Sequence, residues 1–128
     1  MASAKQPIGS IGWVDLTVDN ADSIRDFYKQ VIGWTHSDVS MGEYSDYSMN
    51  RPDDGTPTAG VCHKSGVNSE LPSQWLIYIV VEDLDVSVQR CTDLGGRVLV
   101  GPKGLGPGAR YCVIQDPAGA VAALYEER

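Results

Sequence analysis

The sequence predicts an α+β protein built from two βαβββ modules forming a cupped, partly closed barrel. Three observations carry that prediction. The chain echoes itself at half length, both copies run through the same order of hydrophobic periods, and acidic residues and glycines punctuate them at matched places. "DLTVDNADSIRDFYKQVIGW" begins at residue 15 and "YIVVEDLDVSVQRCTDLGGR" at residue 78, an offset of 63. At that offset Val18 meets Val81, Asp19 meets Glu82, Asp22 meets Asp85, Val31 meets Leu94 and Gly33 meets Gly96. So long a period in only two copies marks a duplicated module rather than a solenoid.

Each element follows from local chemistry. "IGWVDLTV" alternates as a strand, and Asp19 or Asn20 caps the helix that follows. Ile24, Phe27, Tyr28 and Val31 keep helical spacing, and Gly33 stops the helix. Strands near 34–40, 43–50 and 58–63 complete module one (about 8–63), divided by Gly42 and the turn "RPDDGTP". The polar linker "KSGVNSELPSQ" (64–74) leads into module two (about 75–126). There a strand at 75–82, a helix at 84–94 and a Gly95-Gly96 stop precede strands near 97–100, 109–115 and 120–126. Each helix covers one face of its module's sheet, leaving the other face for something else. Two such faces opposed would enclose a cavity, and the small residues Ala120, Ala122 and Ala123 would make room in it.

Composition narrows the function. The 128 residues suit one domain, and a hydrophobic share of 42% supports a packed core. A net charge of −7 with scattered Lys and Arg argues against nucleic acid and anionic membrane as partners. No apolar run approaches the roughly 20 residues of a membrane helix, and "MASAKQPIGS" lacks the apolar segment of a secretory leader. Cys62, Cys91 and Cys112 are odd in number and lie in apolar contexts, as suits reduced thiols of a cytoplasmic protein more than disulfide or metal roles.

Strand parity selects the candidate binding residues. It puts Trp13, Asp15 and Thr17 on one face of the first strand, with Val14, Leu16 and Val18 on the helix side. In module two Leu76, Tyr78 and Val80 face the cup, with Ile77, Ile79 and Val81 under the helix. Asp15 can take a proton or accept hydrogen bonds from a ligand, and is the candidate catalytic residue; the plain alternative is a wetted carboxylate at the rim. Trp13 is either an aromatic pocket wall or a plug. Tyr44, Tyr47 and Tyr111 are further candidates whose faces the pattern leaves open. His36 and His63 read as surface or rim residues, since Cys62 and His63, being neighbours on a strand, point to opposite faces. "GPKGLGPGAR" (101–110) lacks the ending of a phosphate-binding loop and reads as a mobile hairpin loop, placed for a lid.

The duplicated module, with "VDNADSIRDFYKQVIGW", "VEDLDVSVQRCTDLGGRVLVGP" and "DPAGAVAALYE", resembles the vicinal oxygen chelate superfamily of glyoxalases, bleomycin-resistance proteins and extradiol dioxygenases. The resemblance spans roughly 8–126. It implies four matched positions for a divalent metal, on the first and last strand of each module. Here they fall on Trp13, Ala59 or Gly60, Leu76 and Ala123. None is a metal ligand, because such sites need N, O or S donors. The expectation is therefore a small-molecule-binding protein with no metal and no cofactor, its ligand held by Trp13, Asp15, Leu76, Tyr78 and Ala123. A lyase- or isomerase-type enzyme is the alternative, and a docking partner that only reuses the scaffold is a third. Short members of this superfamily often pair, which makes a homodimer the expected assembly.

Overall fold

The computed structural model describes residues 6–128; the start of the segment read for a secretory leader, residues 1–5, lies outside the described residues. The chain is α+β, with eight strands and two α-helices in the order βαβββ twice. It divides into two compact units, one of Trp13–Trp75 and one joining the residues up to Gly12 to Leu76–Arg128.

In the Trp13–Trp75 unit, β1 (Ile11–Val18) leads to α1 (Ala21–Ile32), and then to β2 (Thr35–Ser40), β3 (Ser45–Asn50) and β4 (Pro57–His63). The strands pair in the order β2-β3-β4-β1. The β4–β1 pair is parallel and the others are antiparallel. Leu16 and Val18 of β1 join Ala21, Tyr47, Met49 and Val61 in a core under α1, so the predicted helix side of β1 is the observed one. Gly33 ends α1 at φ 91°, a left-handed conformation that glycine adopts without steric cost. Asn20 occupies the N-cap position without a side-chain cap bond.

The buried face of α1 is narrower than its sequence period suggests. Ala21 is fully buried and Ile24 and Tyr28 are partly so, whereas Phe27, Val31 and Ile32 are exposed. The helix rests on the sheet through Ala21, Ile24 and Tyr28, which leaves Phe27 turned about 90° away, while Val31 and Ile32 stand in the last turn. Tyr28 then anchors an aromatic cluster with Trp34 and Trp75, and its hydroxyl accepts a hydrogen bond from Trp75 Nε1 at 3.2 Å.

The other unit repeats the plan with β5 (Trp75–Val80), α2 (Leu84–Asp93), β6 (Arg97–Gly104), β7 (Ala109–Gln115) and β8 (Val121–Glu127). β5 and β8 are parallel, while β8–β7 and β7–β6 are antiparallel. Leu84, Cys112 and Leu124, with Ile79, Val81, Val88 and Ile114, form the core under α2. Asp83 caps α2 by accepting from Val86 N at 3.2 Å. Residues before β1 pair along β5: Gly9 N donates to Val80 O at 2.7 Å and Val80 N to Ser10 O at 2.9 Å.

The expected loop at 101–110 is shorter than its glycines suggest. β6 continues to Gly104 through register shifts between Val98 and Val100 and between Val100 and Lys103. Gly101, at φ 79°, allows this, because a Cβ there would stand 2.8 Å from the Tyr111 carbonyl oxygen. Only residues 105–108 remain as the turn, closed by Leu105 N donating to Ala109 O at 2.9 Å. Among the described residues no helix is long and apolar enough to cross a membrane.

Candidate functional site

The site in the Trp13–Trp75 unit begins with the pleat of β1. With Leu16 and Val18 committed to the helix, Trp13, Asp15 and Thr17 stand on the opposite face. Register carries that face across the sheet: Asp15 lies beside Gly60 and Thr17 beside Cys62 on β4, and Ser48 of β3 lies beside Gly60. Trp13 Nε1 donates to Asp15 Oδ1 at 2.6 Å. Gly60 makes that pair possible, because a Cβ there would collide with Asp15 Oδ1 and sit 3.5 Å from Trp13 Nε1. Around the pair lies a cavity of about 230 Å³, walled also by Asp46, Ser48 and Cys62, with Val39 and Met41 beside them.

The cavity's electrostatics come from its acids. Burial pushes the Cys62 thiol up in pKa, and the negative charges of Asp15 and Asp46 push it further. Cys62 therefore stays protonated, a donor rather than a nucleophile. Asp46, only 9% exposed, accepts from His63 N at 2.9 Å and lies 3.2 Å from His63 Nδ1. His63 Nε2 lies 3.3 Å from Asp22 Oδ1, which also accepts from the Tyr47 hydroxyl. That phenol bond is the main reason the Asp22 carboxyl sits below its ordinary pKa, and it raises the pKa of Tyr47 in turn. Beyond the cavity a polar row continues, with Ser48 Oγ donating to Asn50 Oδ1 and Asn50 Nδ2 to Ser37 Oγ, both at 2.8 Å.

The other unit presents a different surface on its helix-free face. Tyr78 lies beside Ala123, and Ala123 beside Val113. The Tyr78 and Tyr111 rings are 6.2 Å apart, and Leu76, Val113 and Ala123 are fully buried. The pairing Tyr78–Ala123 is the pairing Asp15–Gly60 shifted by 63 residues, so the duplication holds at the level of register. It also selects between Ala59 and Gly60: Gly60 is the matched position, while Ala59 lies beside Met49 on the helix side. The small residues of β8 are divided between faces. Ala123 sits between Tyr78 and Val113, whereas Ala122 lies beside Ile114 on the helix side. A separate cavity of about 320 Å³, which sequence reasoning missed, is lined by Gln6, Pro7, Ile8, Val80, Val81, Glu82 and Glu127.

Within one unit, then, the structure brings Trp13 and Asp15 together; within the other, it brings together Tyr78 and Ala123, with Leu76 on the same strand face. Asp46, Ser48 and Cys62 are cavity residues that sequence reasoning did not select. The alternation Asp46, Ser48, Asn50 against Tyr47 and Met49 is their signal, because the aromatic and the thioether mark the buried side. Tyr47 therefore packs on the helix side and also borders the cavity, Tyr111 faces away from the helix, and Tyr44 packs its ring 5.4 Å from that of His63.

The superfamily's metal does not fit these residues. In the Trp13–Trp75 unit the matched positions hold an indole, whose N–H donates a hydrogen bond rather than a lone pair, and a glycine without a side chain. In the other unit they hold Leu76 and Ala123. No donor set for a divalent ion results. Among the described residues no three His, Cys, Asp or Glu side chains converge to hold a metal ion.

Comparison with known proteins agrees with this architecture. The profile of the Glyoxalase/Bleomycin resistance protein/Dioxygenase superfamily matches residues 10–124. The anthracycline biosynthesis protein DnrV of Streptomyces peucetius is 33% identical over 120 residues, covering 94% of this chain and 42% of its own length. The glyoxylase-named protein CFP32 of Mycobacterium tuberculosis is 28% identical over 116 residues, covering 91% of this chain and 43% of its own. The chain thus spans less than half the length of these curated relatives. Among solved structures, a Streptomyces coelicolor methylmalonyl-CoA epimerase in complex with 2-nitronate-propionyl-CoA aligns at a TM-score of 0.61 and 17% identity, over 94% of this chain and 99% of that one. The methylmalonyl-CoA epimerase of Mycobacterium tuberculosis aligns at 0.59 and 16%, over 99% and 93%. At such identity the likeness concerns the fold alone. With the profile matched from the first strand into the last and the βαβββ module present twice, the chain belongs to the glyoxalase/bleomycin resistance protein/dioxygenase superfamily.

Proposed function

We propose that this chain binds a small organic molecule without a metal, on the helix-free faces of its two modules, as a homodimer in the cytoplasm. In this reading the modules, about 8–63 and 75–126, belong to one domain, and each offers its own helix-free face. Trp13 and Asp15 are the proposed ligand contacts on one face, and Leu76, Tyr78 and Ala123 those on the other. The observation that carries the reading is the Trp13–Asp15 pair beside Gly60, a carboxylate and an indole held together at the edge of a cavity. Ligand pockets commonly combine an apolar lining with a few placed polar groups. DnrV, named for anthracycline biosynthesis, lends support to a polycyclic organic ligand.

The test is a thermal-shift screen of polycyclic metabolites, since a ligand of the native state raises the melting temperature by mass action. A hit should lose its shift in Trp13→Ala and Asp15→Asn variants that retain the wild-type melting temperature without ligand. A hit equally strong in both variants would place the ligand elsewhere.

A second reading makes the chain a lyase- or isomerase-type enzyme, with Asp15 as the proton acceptor. The glyoxylase naming of CFP32 favours it. In this reading Asp15 takes a proton from a carbon next to a carbonyl, and a tyrosine hydroxyl steadies the charge that forms on oxygen. Exchange of that substrate proton with deuterated solvent, followed by NMR and abolished by Asp15→Asn, distinguishes it from simple binding.

A further inference from the structure

The walls of the cavity in the Trp13–Trp75 unit carry charge of one sign only. Asp15 and Asp46 line it, and no Lys, Arg or His is among its described lining residues. Both acids are fixed by hydrogen bonds: Asp15 Oδ1 accepts from Trp13 Nε1, and Asp46 Oδ1 accepts from His63 N. Asp46 is 9% exposed, and a carboxylate so far out of water is costly unless it is hydrogen-bonded or paired. The Cys62 thiol, wedged by the two acids, is held protonated by their charge as well as by burial. The apolar components, Trp13 with Val39 and Met41, flank the same space, and an indole also attracts cations.

We infer that this cavity takes a molecule with a flat apolar body and a cationic, hydrogen-bond-donating group, and turns away polyanionic acyl-CoA esters. The inference rests on the binding reading above and adds the ligand's charge to it. Phosphate-bearing ligands are held by Arg, Lys or the N-terminus of a helix, none of which lines this cavity. The chain's net charge of −7 works against a polyanion before contact as well. A shared fold with epimerases crystallised with CoA esters thus does not bring their ligand chemistry with it.

Three probes with one ring system isolate the charge: proflavine as the cation, acridine as the neutral ring and an acridine carboxylate as the anion. Each is titrated calorimetrically into the full chain at pH 7.5, alongside methylmalonyl-CoA. The expected result is proflavine binding at least about tenfold more tightly than either of the others, with no binding of methylmalonyl-CoA. Asp15→Asn and Asp46→Asn should each cut the preference for proflavine over acridine about five- to tenfold. Raising NaCl from about 0.05 to about 0.5 M should weaken proflavine more than acridine, which checks the charge effect without any variant. Equal binding of the acridine carboxylate, tighter binding of methylmalonyl-CoA, or a preference that neither salt nor either variant changes would overturn the inference while leaving the binding reading intact. Failure of all four compounds to bind would overturn the inference and count against the binding reading too.

Discussion

Gly60 sets the geometry at the scale of single residues. Its missing side chain is the space in which the Asp15 carboxylate lies and takes its bond from Trp13. Gly60→Ala must displace that carboxylate or the strand, and overpacking of this kind costs about 1–3 kcal/mol. We expect a lowered urea midpoint and loss of any cavity ligand, whereas Ser48→Ala, on the same face, should cost less than half as much. An unchanged midpoint in Gly60→Ala would show that Asp15 is free to move. Cys62 offers a second check. Burial and two neighbouring acids keep its thiol protonated. It should therefore resist alkylation at pH 8 in the folded protein and react fully in urea, read by mass spectrometry of the peptide that carries it. Rapid labelling of Cys62 in the native state would contradict the cavity as described.

Between elements, the two units use one fastening plan with different chemistry. In the C-terminal unit Glu126 of β8 accepts from Leu84 N at the start of α2, and Arg110 of β7 bridges Glu126 to Asp85 of the helix. Shifted by 63 residues the same places hold His63, Ala21, Tyr47 and Asp22, where the phenol and the imidazole both face the helix carboxylate. The Arg110 guanidinium, the Leu84 N–H and Arg128 hold the Glu126 carboxyl down to about 2 from an ordinary 4.5. A carboxyl depressed on folding stabilises the native state above its unfolded pKa, and that contribution disappears as pH falls through the folded one. Glu126 should thus support stability fully above pH 4.5 and lose its contribution towards pH 2. Glu126→Gln should cost about 1–3 kcal/mol at pH 7 and almost nothing at pH 2, by urea denaturation at both. An equal cost at the two pH values would mean that packing, not charge, is what Glu126 supplies.

At the scale of the whole molecule, stability should be independent of divalent metal, because the four superfamily positions carry Trp13, Gly60, Leu76 and Ala123. Dialysis against a chelator should leave the melting temperature unchanged; a fall on chelation, restored by one equivalent of zinc, nickel or manganese, would reveal a metal coupled to folding. Light scattering should return twice the mass of 13.8 kDa, and a monomer mass at working concentration would refute the proposed dimer. The sequence by itself determined the order of elements and their duplication, because hydrophobic period, caps and glycine stops are local properties that the 63-residue echo repeats. It also determined the helix side of β1 and β5, since Leu16, Val18, Ile79 and Val81 are apolar without interruption. Only the tertiary structure decided the rest of the site. Whether Ala59 or Gly60 matches Ala123, which side Tyr47 takes, and that β6 runs on to Gly104 all depend on register. Register is set by partners far along the chain and altered by bulges such as those at Met49/Asn50 and Val100/Lys103. A shift of one residue turns every side chain to the other face, and no local period records it. Asp46 entered the cavity for that reason, and His63 became the residue between two carboxylates rather than an idle group at the rim.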